Sequence, residues 1–165
     1  MKAKLTLLLS MIAFVAASFA QQKTDFTKKG APLPNFYINR TDGGYIIPNL
    51  LKKSKPVMIV IFSPQCDHCE FMVDSLRGVR DQFQSTQLVM VAEDRHKDFM
   101  DGFMEKTKIK GDALFKNIGT NKGELIAAIY TNKMLPQIVF YDANHKLVKI
   151  FDGQYKFADV AKYIK

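Results

Sequence analysis

The chain contains two cysteines, Cys66 and Cys69, three positions apart in the stretch FSPQCDHCEF that runs from Phe62 to Phe71. Two thiols at this spacing could serve as a redox pair, as half of a metal-ligand set, or as a small structural loop. A structural zinc takes four ligands, and the cysteines supply two. Of the three histidines, His68 lies between the cysteines, and His96 and His145 do not stand at ligand spacing from each other. No metal is expected. A bond across so short a loop constrains the unfolded chain little, so stapling is a weak explanation for the pair.

Peroxide reduction is a further use for a reactive cysteine. Ser63 precedes Cys66 at the spacing of the peroxiredoxin element T/S-x-x-C, but the proline those enzymes place four residues earlier would fall at Ile59. Their pattern is broken here. Disulfide exchange fits the residues best. The cysteines follow an apolar run, Pro56–Phe62, and open a segment in which Met72, Val73, Leu76, Val79 and Phe83 recur at helical spacing. Cys66 then falls at a helix N-terminus, where free N–H groups and the helix dipole favour a thiolate. Cys66 is expected to attack a substrate disulfide, and Cys69, more buried, to resolve the mixed disulfide. A protonated His68 would stabilise the Cys66 thiolate. Asp67 and Glu70 would oppose it.

The surrounding sequence predicts the elements that hold this pair. PVMIVIF contains no polar residue and reads as a strand covered on both faces; Gln87–Ala92 reads as a second. Before them, two short strands flank a turn at Asp42, Gly43 and Gly44, and Asn49 is a candidate cap for a short helix over Leu50–Lys53. After them, a helix is expected with Phe99, Phe103 and Met104 on one side. A short strand around Ala113–Phe115 and a helix ending near Tyr130 complete the interval. QIVFY and KLVKIF read as strands joined by a turn at Asp142–His145, where Asn144 suits the left-handed conformation. A terminal helix follows, with Phe157, Val160, Ala161 and Ile164 on one face. Strands alternating with helices predict an α/β domain with a central mixed sheet.

The first twenty residues form a separate unit. Lys2 and Lys4 precede an apolar run from Leu5 to Ala17, and Ser18 and Ala20 stand at −3 and −1 of a cut after Ala20. This is the pattern of a cleaved signal peptide; an uncleaved anchor is the alternative, although the apolar run is shorter than the ~20 residues a spanning helix needs. The pattern predicts an exported chain, periplasmic or secreted, with a lead-in over residues 21–34 and one domain over 35–165. Losing the signal segment removes two lysines and no acid, so the net charge falls from +8 to +6. The basic residues are scattered, and nucleic acid is not an expected partner. Export also places the cysteines where disulfides form and persist.

The chain resembles the thioredoxin superfamily, specifically its exported TlpA-like thiol–disulfide oxidoreductases. The resemblance covers roughly residues 30–164. It rests on GAPLPNFYINRTDGGYIIPNLLKKSKPVMIVIFSPQCDHC and on MLPQIVFYDANHKLVKIFDG. It implies a thioredoxin-like fold with an N-terminal β-hairpin and an insertion in the 66 residues between Cys69 and Pro136. It implies that Pro136 is cis and faces the cysteines, and that the Leu135 backbone pairs with an extended substrate. Protein thiols and disulfides would be the partners, a membrane electron donor would recharge the pair in many members, and no cofactor is expected; the chain is expected to act as a monomer. Departures from the family stand at Val60, where thioredoxin has a buried acid, at Gln65, commonly aromatic, and at Gln137, usually threonine. They bear on the direction of electron flow. A binding module on the same scaffold, with an idle or regulatory cysteine pair, is the alternative, because one fold hosts unrelated activities.

Overall fold

A computed structural model describes residues 24–131 and 134–165; the segment read as a signal peptide lies outside the described residues. Seven strands are formed: β1 (Ile38–Arg40), β2 (Tyr45–Ile46), β3 (Val57–Ile61), β4 (Gln87–Glu93), β5 (Ile118–Asn121), β6 (Gln137–Tyr141) and β7 (Leu147–Phe151). Among the described residues four α-helices accompany them: α1 (Asp67–Gly78), α2 (Met100–Lys106), α3 (Glu124–Ile129) and α4 (Phe157–Ala161). The strands make one sheet in the order β2-β1-β5-β4-β3-β6-β7. The centre, β5-β4-β3, is parallel, and β6, β7 and the β1–β2 hairpin add antiparallel to its sides.

The apolar run of β3 is buried along its whole length, and its period of two divides it between the faces. Met58 and Val60 point to one face, with Leu88 and Met90 of β4, Met72, Val73 and Leu76 of α1, Phe103 of α2 and Val160 of α4. Val57, Ile59 and Ile61 point to the other, with Val89, Val91 and the α3 residues Leu125, Ile126 and Ile129. A strand with no polar face therefore needs helices on both sides, and it has them. The result is an α/β/α sandwich in which β3 lies between β4 and β6, inside the sheet. On the hairpin side, a Cβ at Gly119 would collide with the Asn39 backbone, so the close approach of β1 to β5 requires glycine there.

Several expectations need correction. Pro48–Leu50 is a 3₁₀ turn with no side-chain cap, in place of a helix over Leu50–Lys53 capped by Asn49. Proline at its first position fixes φ where no N–H is needed. Ala113–Phe115 is also 3₁₀, its start held by Asp112 accepting from the Leu114 N–H, and the strand of this interval is β5. Phe103 and Met104 are buried, but Phe99 is 49 % exposed and belongs to the preceding 3₁₀ turn. In the β6–β7 turn the left-handed residue is His145, at φ 55°, because the Asp142 carboxylate accepts from the N–H of both Asn144 and Lys146 and sets where the chain reverses. The lead-in segment is attached along Gly30–Leu33, where backbone bonds to His145 and Leu147 cover the start of β7.

Candidate active site

The parallel strands β3 and β4 carry the chain to one end of the sheet, and the cysteine pair begins five residues after β3. Phe62 continues the line, its N–H donating to the Val91 carbonyl, and its ring packs on Phe103 with centroids 4.9 Å apart. Ser63 and Pro64 then turn the chain. The Cys66 N–H donates to the Ser63 carbonyl at 3.2 Å, and the Cys66 carbonyl accepts from the N–H of Cys69 and Glu70. Cys66 is the N-cap of α1, in extended conformation at φ −118° and ψ 114°. Its sulfur thus stands outside the helix barrel, at the end where N–H groups are unpaired.

The two thiols have different surroundings. Cys66 is partly exposed, whereas Cys69 is 1 % exposed. Cys69 lies on the apolar face of α1 with Val60, Phe62, Met72 and Val73. Burial, foremost, pushes the Cys69 thiol well above the ordinary cysteine range. The Cys66 thiol beside it and the Glu70 carboxylate act in the same direction, and a hydrogen bond from the Ser63 backbone acts against them. The pair therefore combines one accessible sulfur with one that holds its proton.

The segment before β6 closes over the pair. The Leu135–Pro136 peptide bond is cis, Pro136 is buried, and the Cys66 thiol donates to the Leu135 carbonyl at 3.8 Å. Tyr155 donates its hydroxyl to the Pro136 carbonyl at 3.0 Å. Gln137 is fully buried and braces the same segment. Its Nε2 donates to the Ile129 carbonyl at 2.7 Å, and its Oε1 accepts from the Thr131 N–H at 2.8 Å. Thr131 in turn donates its hydroxyl to Asp152 at 2.7 Å. A residue marked in the sequence only as a departure from the family thus links the end of α3 to the start of β6.

Asp67 and His68 both lie in the first turn of α1 and are exposed. His68 borders a groove of about 300 Å³ together with Phe71, Met134, Pro136, Tyr155 and Phe157. Phe71 and Met134 are 67 % and 49 % exposed at its rim. One cation was not singled out in the sequence: Lys106, on α2, donates to the Glu70 carboxylate at 2.6 Å. Among the described residues, no three His, Cys, Asp or Glu side chains are grouped to hold a metal ion.

No protein-family model matches the chain, and no curated protein sequence does. Solved structures do. A secreted disulfide oxidoreductase of Mycobacterium tuberculosis, homologous to DsbE of E. coli, superimposes with a TM-score of 0.64 at 19 % identity, covering 79 % of this chain and 94 % of its own. The thioredoxin domain of a thiol-disulfide oxidoreductase from Bacteroides vulgatus gives 0.62 at 17 %, covering 84 % and 99 %. A thiol:disulfide interchange protein of the thioredoxin family from Chlorobium tepidum gives 0.63 at 18 %, covering 88 % and 97 %. The chain has the thioredoxin-like fold. The similarity at this level of identity concerns architecture.

Proposed function

We propose that this protein is an exported thiol–disulfide oxidoreductase that exchanges disulfides with protein substrates through Cys66 and Cys69. The observation that carries the reading is the asymmetry of the pair: an accessible sulfur at the N-terminus of α1, and a buried, proton-holding thiol three residues on. An idle pair would have no need of that difference. Solved structures similar to it in architecture include thiol–disulfide oxidoreductases, which supports the same reading.

In the reductive direction, the Cys66 thiolate attacks one sulfur of a substrate disulfide. A Cys66–substrate bond forms, the substrate S–S bond breaks, and the departing thiolate takes a proton from water, while Cys69 gives up its own proton to water before the second step. The Cys69 thiolate then attacks the Cys66 sulfur. The Cys66–Cys69 disulfide forms and the second substrate sulfur leaves as a thiolate that takes a proton from water. The substrate gains two electrons and the protein loses two, so a further thiol donor must restore the pair; a membrane donor would fill that role. Leu135 and Pro136 would hold the substrate strand beside Cys66, through the backbone braced by Gln137 and Tyr155. Asp67 and His68 would tune the balance between dithiol and disulfide. Residues 1–20 would direct export and be removed.

The test is catalysed reduction of a disulfide-bonded protein in the presence of a small dithiol. Cys66→Ser is expected to reduce the rate to the uncatalysed one. Wild-type turnover in that variant would overturn the reading.

A further inference from the structure

The first turn of α1 carries two carboxylates, Asp67 and Glu70, beside the thiol that is expected to ionise. Negative charge here suits the helix dipole but opposes a thiolate. The only cation bonded to this turn among the described residues is Lys106, in the last turn of α2 and 36 positions away in the chain. We propose that Lys106 is a positioning residue of the dithiol centre: by pairing with Glu70 it cancels charge on the cysteine-bearing turn and thereby favours the reduced form. The inference rests on the redox reading above and goes beyond it, since it names a residue outside the cysteine motif that sets its poise.

The geometry specifies the direction. Glu70 is only 22 % exposed, and its carboxylate accepts from the ammonium at 2.6 Å. Glu70 acts on Cys69 to favour the protonated thiol. The hydrogen bond to Glu70 is the main cause raising the Lys106 pKa, and Asp67 adds to it through space. His68 stands in the same turn, and the cysteines act on Tyr130, as Glu93 also does, and on Tyr155. None of these bonds to Glu70. Without the ammonium, the Glu70 charge would bear unopposed on a thiolate at Cys66, the N-cap of the same helix. A disulfide carries no charge, so only the reduced state would lose stability.

The test is the ratio of dithiol to disulfide in glutathione buffers of set composition, read by trapping free thiols and weighing the intact protein. It needs no substrate. Lys106→Met is expected to lower the dithiol-to-disulfide ratio by about threefold, the size of a partly screened surface charge. Lys106→Arg is expected to stay near wild type. In a Glu70→Gln background, Lys106→Met is expected to leave the ratio close to that of Glu70→Gln alone. An unchanged ratio in Lys106→Met, or the same fall in both backgrounds, would overturn the inference and leave the redox reading intact. A wild-type protein that forms no Cys66–Cys69 disulfide in any buffer would overturn both.

Discussion

Burial of Cys69 makes the stability of the reduced protein depend on pH in a way that can be isolated. In a Cys66→Ala variant no intramolecular disulfide can form, and Cys69, 1 % exposed in the wild-type protein, is expected to stay on the apolar face of α1. Its folded-state pKa lies well above that of a free thiol, first because of burial, so it holds its proton when the unfolded chain has lost its own. Stability from this source is complete below the unfolded pKa and is lost as pH rises towards the folded one. With an unfolded value of about 8.5, moving from about pH 7.5 to about pH 9.5 should cost about 1.4 kcal/mol. The measurement is urea unfolding of Cys66→Ala and of the Cys66→Ala, Cys69→Ala double variant at both pH values. Tyr141 and Tyr155, which burial also holds above their ordinary range, titrate in both proteins and cancel. The Cys69-containing variant is expected to lose that additional amount. Equal losses in the two proteins would refute the claim that Cys69 is held as a buried, protonated thiol.

Replacing Gln137 by leucine should destabilise the domain by about 2–4 kcal/mol, since the Ile129 carbonyl and the Thr131 N–H both lose their partner; chemical unfolding measures it, and a change under about 0.5 kcal/mol would show that the brace is unimportant. The same variant should slow exchange with protein disulfides more than with a small disulfide, because the Leu135 backbone is what it displaces. His68→Ala should lower the reduction potential and Asp67→Asn should raise it, as removal of a positive and of a negative charge near a thiolate requires; glutathione equilibria of both variants would contradict the tuning role if the shifts have the same sign. Phe71→Ala combined with Met134→Ala should raise KM for a protein substrate with little change for a small dithiol, given the exposure of both side chains at the groove.

Local pattern made the centre of the fold legible. An uninterrupted apolar strand, followed directly by a helical repeat that opens with two cysteines, is a short-range signal; β3, Cys66 and the start of α1 stand where it puts them, but the helix stops at Gly78, and Val79 and Phe83 flank a 3₁₀ turn instead of continuing it. What escaped the sequence depends on partners far apart in the chain. Lys106 reaches Glu70 across 36 positions, and Asn121, fully buried, donates to the Tyr37 carbonyl across 84 while accepting from Gly123 and Leu125 at the start of α3. Nothing in the neighbourhood of either residue marks such a role. Gln137 was visible as an unusual residue after Pro136, but its bonds to the end of α3 needed the fold. The errors in element type have the opposite origin: Ala113–Phe115 is apolar enough for a strand, yet Asp112 caps it as a 3₁₀ turn. Phe99 fits a helical stripe in spacing but precedes the helix.

Attack by Cys66 and resolution by Cys69 are separated by the intact mass of a Cys69→Ser variant after brief exposure to a disulfide-bonded peptide. With the resolving thiol gone, the protein is expected to accumulate as a one-to-one mixed disulfide whose bond maps to Cys66, while Cys66→Ser under the same conditions stays unmodified. Rapid adduct formation on Cys69 in Cys66→Ser, or no adduct on Cys66 in Cys69→Ser, would contradict the account.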